Sequence, residues 1–137
     1  MKHIKVLGFL ATMLVPAGAV LAGAHNAVEV AITLDMTTGA AISAQGNEAD
    51  AYNSVDGNQY IGCGGSSTFG WCQAHDASAD ADGLVNSAFC TTIDPTLITH
   101  IRSVAADSFV RFTIDPDTGD CVGLSVSHNS FYRPKAP

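Results

Sequence analysis

Four cysteines, Cys63, Cys72, Cys90 and Cys121, constrain this 137-residue chain more than any other feature. They stand in a C-x8-C-x17-C-x30-C frame with no C-x2-C pair, so neither a zinc ribbon nor a thioredoxin-like motif has support. What precedes them decides how they read. Lys2, His3 and Lys5 make a cationic start, and Val6 to Val20 is nearly continuous apolar sequence, broken by Pro16 and Gly18. Val20-Leu21-Ala22 and Ala22-Gly23-Ala24 both fit as small-residue cleavage sites. This is the layout of a secretory signal peptide over residues 1–22, cut after Ala22 or Ala24. The apolar run is short of the roughly 20 residues a membrane span needs, so no membrane insertion is expected after cleavage. An exported chain with an even cysteine count is expected to form two disulfides in a secreted or periplasmic setting.

Four cysteines allow three pairings. Joining neighbours, Cys63 with Cys72 and Cys90 with Cys121, is preferred; Cys72 with Cys90 across a hairpin near Ala81 is the alternative. The length left after cleavage suits one domain, 23–137, with a modest core.

Between residues 25 and 101 there is no Lys or Arg, and the full chain carries a formal charge of −7. Once Lys2 and Lys5 leave with the leader, Arg102, Arg111, Arg133 and Lys135 face thirteen acids. A field of this sign disfavours nucleic acid and anionic membranes, and favours a basic protein as partner.

Alternation of apolar and polar residues predicts strands over 28–34, 40–44, 59–64, 68–75, 84–91, 109–114 and 121–127. Gly64-Gly65-Ser66-Ser67 and Asp115-Pro116-Asp117-Thr118-Gly119 read as hairpin turns, Asp76 to Gly83 as a longer turn, and 45–58 as a polar loop. One helix starts at Asp94, with Pro95 in its first turn and Leu97, Ile98, Ile101 and Val104 as its apolar stripe. The stripe is expected to pack on Val110, Phe112, Ile114, Val122, Leu124 and Val126. The expected fold class is α+β: a small antiparallel sheet of hairpins packed by one short helix, with two disulfides.

From Tyr60 onward the chain resembles a family of small exported bacterial proteins. The resemblance rests on Tyr60-Ile61-Gly62-Cys63, Trp71-Cys72-Gln73-Ala74, Phe89-Cys90-Thr91-Thr92, Asp94-Pro95 and Ile101-Arg102-Ser103-Val104. It continues through Asp107 to Phe112, Asp117 to Cys121, Leu124-Ser125-Val126 and Asn129 to Lys135. It implies export, disulfides and one small domain, and it carries over no catalytic residue.

Several residue groups bear on function. Asp76, Asp80 and Asp82 in one glycine-ended turn are hard oxygen ligands of the kind Ca²⁺ takes, though their spacing is not that of an EF-hand. Asp115, Asp117 and Asp120 raise the same idea, but Pro116 and Gly119 already explain that segment as a turn. His25, His75, His100 and His128 show no metal-binding spacing, and no Ser sits in a G-x-S-x-G elbow, so no nucleophile–base pair emerges. Trp71 and Phe69 are expected in the core between sheet and helix; the alternative is an exposed aromatic platform for a glycan or partner. These features point to an acidic, non-enzymatic binding module without a cofactor, for instance an inhibitor of a basic, lysozyme-like enzyme. The alternatives are a Ca²⁺-dependent adhesion module using Asp76, Asp80 and Asp82, and a small hydrolase built around His75 or His128.

Overall fold

The computed structural model describes residues 27–79 and 85–129. Residues 1–26, which include the expected leader, as well as Asp80, Asp82 and the segment after Asn129, lie outside the described residues. The strands are β1 (Ala31–Leu34), β2 (Ala41–Asn47), β3 (Tyr60–Gly65), β4 (Gly70–Ala79), β5 (Val85–Thr92), β6 (Phe109–Ile114) and β7 (Cys121–Ser127). The helices are α1 (Glu48–Tyr52) and α2 (Pro95–Ile101). The class is α+β as expected, and its strands divide between two antiparallel sheets, β1-β2-β6-β7 and β3-β4-β5.

One buried cluster joins the sheets. The first supplies Ala44, Val110, Phe112 and Ile114; the second supplies Ile61, Cys72, Ala74, Ala88 and Cys90. The inner face of the three-stranded sheet is thus built largely from alanine and cysteine. Both disulfides follow the neighbour pairing, Cys63 with Cys72 and Cys90 with Cys121. Cys72 stands opposite Cys63 on β3 and also opposite Cys90 on β5, so strand register alone permits either partner. The observed choice leaves Cys90 to reach β7 and tie one sheet to the other, next to a parallel bridge between Thr91 and Asp120.

The β6–β7 hairpin has the expected bounds. Its pairing shifts between Thr113 and Ile114, so Ile114 meets Cys121 while Thr113 meets Gly123. Val122 is the extra residue of this bulge and turns outward at 57% exposure, instead of packing with Leu124 against the core. Helix α2 starts as the sequence dictates: Asp94 accepts the Thr96 and Leu97 N–H groups, and its carboxyl is held below the usual range by those backbone bonds, Leu97 first. The helix stops at Ile101, short of Val104, and does not simply cover the β6–β7 face. Its Ile101 and Ile98 side chains come against Gly70 of β4, while His100 Nδ1 lies 3.4 Å from the Leu124 carbonyl of β7. A side chain at position 70 would collide with Ile101 Cδ1, so glycine there is what lets the helix seat.

The expected loop over 45–58 begins only at Asn53; residues 45–52 are the end of β2 and α1. Asn47 makes the difference. It is fully buried, caps α1 by accepting the Asp50 N–H (3.0 Å) and donates through Nδ2 to the Asp107 carbonyl (3.2 Å). Tertiary bonds therefore hold a helix too short to form alone. The first residues expected in β1, Val28 to Val30, bond to side chains instead: Val28 N–H to Asp50 (2.9 Å) and Val30 N–H to Gln59 (2.8 Å).

Candidate functional site

The register of the three-stranded sheet sorts its residues between two faces. Tyr60 pairs with His75, Gly62 with Gln73, Gly64 with Trp71, then Gln73 with Phe89 and Trp71 with Thr91. All of these share the face opposite the buried Cys72 and Ala74. Trp71 and Phe69 are accordingly not core residues packed between sheet and helix. Phe69 is 42% exposed and Phe89 59%, while Trp71 is half-buried because its indole lies flat over Gly64, where a Cβ would sit 2.8 Å from the ring. The physical reason is alternation: the register turns Cys72, Ala74, Ala88 and Cys90 inward, so the residues between them face out, while Phe112 of the first sheet fills the core. Tyr60 and His75 stack, with ring centroids 4.7 Å apart and planes 29° from parallel.

Glu48 joins this face from α1. A Cβ on Gly62 would sit 3.2 Å from Glu48 Oε1, so the carboxyl lies over the bare backbone of β3, flanked along the strand by Tyr60 and by the Trp71-covered Gly64. Burial alone pushes the Glu48 carboxyl up to about 7. Beside it opens a cleft of about 860 Å³, walled by Glu48, Tyr52, Tyr60, Ala49, Ala106 and Asp107, among others. Two devices hold its rim. Asn47 ties α1 to the backbone of Asp107. Asp56 closes the following turn by accepting the Gln59 side-chain amide (2.7 Å) and the Asn58 N–H (2.7 Å), which together draw its carboxyl down to about 2.

The other residues singled out from the sequence are distributed differently. Asp76 is not in a turn: β4 runs on to Ala79, and Asp76 is buried on it, within 3.3 Å of the Asn86 amide. Asp80 and Asp82 fall outside the described residues. Asp115 accepts the Asp117 N–H and so organises its turn, and no group of three His, Cys, Asp or Glu among the described residues is placed to hold a metal ion. His128 does meet a serine, with Nδ1 3.1 Å from Ser108 Oγ. Ser108 is fully buried and its oxygen already accepts the Ala105 N–H (2.8 Å), so a substrate carbonyl has no path to it in this structure.

Glu48, Tyr60, Phe89 and Asp107 were not singled out by their sequence context. Phe89 and Tyr60 had a usable signal: disulfide cysteines at 72 and 90, once turned inward, assign the opposite alternation to the outer face. Glu48 had none, because its position depends on where α1 packs.

No known protein family, curated protein or solved structure matches this chain. The fold and the site define a small, disulfide-braced β-rich protein with an exposed aromatic face bordered by carboxylates. Two disulfides fit an oxidising compartment, extracellular or periplasmic, and no helix among the described residues is long and apolar enough to cross a membrane.

Proposed function

We propose that this protein is an exported, non-catalytic binding module that recognises a basic protein through the outer face of β3-β4-β5. Membership in a family of small exported four-cysteine proteins is part of the same reading. The observation that carries it is the inversion of the sheet, with alanine and cysteine inside and Trp71, Phe89 and Tyr60 outside. Exposed aromatics on a braced sheet cost stability, and several of them on one sheet face support an interaction surface. Their surroundings set the partner's charge. Aromatic faces attract Arg and Lys, Glu48 places a carboxyl over the same face, and Arg102, a cation at the turn end of this hairpin, donates to the Ser66 carbonyl. Inhibition of a cationic, lysozyme-like enzyme is one concrete form.

The test uses the mature chain and Trp71, its single tryptophan, as a fluorescence reporter. A lysozyme-type muramidase and cytochrome c serve as basic probes, and serum albumin as the acidic control. Binding of a basic probe is expected at low salt, weakened by added salt and reduced about tenfold by Phe89→Ala, with calorimetry repeating the measurement for Trp71→Ala. Absence of binding to either basic probe at low salt, or equal binding by both variants, would overturn the reading.

A further inference from the structure

We propose that the cleft between α1 and β3 receives a Lys or Arg side chain of the basic partner, its cationic head between Glu48 and the Tyr60 ring. This rests on the binding reading above and names the group that anchors it.

Three observations converge on that occupant. The first is shape. At about 860 Å³ the cleft is of the size that takes a ligand group with its flanking backbone, and Ala49, Ala106 and Tyr52 give it apolar walls suited to an alkyl stem. The second is charge. Glu48 lines the cleft, and no basic residue is among the described residues that do. The third is the setting of Glu48. Gly62 brings its carboxyl down onto the sheet, beside the Tyr60–His75 stack. Desolvation is the sole cause perturbing this carboxyl, with no bond or cation of the described chain compensating it. An incoming ammonium or guanidinium group would supply that compensation, and the adjacent ring face adds a cation–π contact. An aliphatic side chain offers neither, and a neutral sugar offers a hydrogen bond without the charge or the cation–π contact.

The probes are Nα-acetyl-lysine amide and Nα-acetyl-arginine amide, with Nα-acetyl-norleucine amide as the uncharged control. Binding to the mature chain is followed by amide chemical-shift changes at 48–53, 57–61 and 106–107. Both cationic probes are expected to shift these resonances, and the norleucine probe to bind about tenfold more weakly or not at all. Glu48→Gln should weaken the cationic probes about tenfold. Its melting temperature, measured alongside, should not fall, because the substitution removes a desolvated acid. Equal binding of the norleucine probe, or affinity unchanged in Glu48→Gln, would overturn the proposal. The two readings separate cleanly. If basic proteins bind through Trp71 and Phe89 while the amides leave the cleft unperturbed, the anchor is wrong and the binding module stands. If the amides enter the cleft while no basic protein binds, the reverse holds.

Discussion

Replacing Cys90 and Cys121 together by alanine should cost this protein more than replacing Cys63 and Cys72, although both pairs form equally complete bridges. A disulfide restricts the unfolded chain in proportion to the logarithm of the loop it closes. For a separation of 31 residues the entropic contribution is about 3.7 kcal/mol. For a separation of 9 it is about 2.6 kcal/mol. Position widens the gap. Cys63 and Cys72 face each other in a hairpin that its turn and ladder already align. Cys90 and Cys121 join the two sheets, and both are buried, so loss of their sulfurs leaves poorly filled space worth about 1 kcal/mol more. C90A/C121A is therefore expected to lose about 4–5 kcal/mol, out of a total that for small domains is roughly 5–15 kcal/mol. C63A/C72A should lose about 2–3 kcal/mol. Urea unfolding followed by Trp71 fluorescence and by far-UV circular dichroism, at 10–15 °C to keep the weaker variant folded, measures both. A cost for C63A/C72A equal to or above that for C90A/C121A would refute the assignment of the longer bridge as the one that secures the two sheets.

Two further outcomes follow from particular contacts. Gly70→Ala should destabilise by about 1–3 kcal/mol, since the new methyl group meets Ile101 Cδ1 and forces α2 off the sheet; thermal unfolding reads this, and a neutral effect would mean that α2 seats elsewhere. Glu48 has a folded-state value of about 7 against an ordinary 4.5, so the folded chain keeps a proton that the unfolded chain releases, and stability from this group falls as pH rises from 4.5 through 7. Solvent screening of this half-exposed group reduces the cost to about 1 kcal/mol, so Glu48→Gln should match the wild type at pH 4.5 and exceed it by about 1 kcal/mol at pH 8. A difference that does not vary with pH would show that Glu48 is not desolvated.

Much of the fold was legible because it depends on neighbours in sequence. The β6–β7 hairpin was bounded correctly, since Pro116 and Gly119 force its turn and the flanking residues alternate. The start of α2 was set by Asp94 and Pro95, a cap and a first-turn residue acting within three positions. The site was less legible. Alternation placed Trp71, Gln73 and His75 together, but which side of the sheet faces the core is not a property of one strand. Aromatic bulk argues for the inside; the inward Cys72, Ala74, Ala88 and Cys90, which alternate with the outer residues, send it outside.

The sequence by itself determined most of the strands, the β6–β7 turn, the helix cap, the four sulfurs and the acidic character of the chain between residues 25 and 101. Each follows from dihedral preferences, local hydrogen bonds or a count of charges. Only the tertiary structure decided that the strands separate into two sheets and that Cys90 crosses between them. It also decided that residues 48–52 are helical and that the Glu48 carboxyl rests on Gly62 beside Tyr60. Those outcomes rest on contacts between distant segments: Asn47 with Asp107, Gln59 with Val30, and Gly70 with Ile101. Their energies exist only once the chain has closed the loops between them.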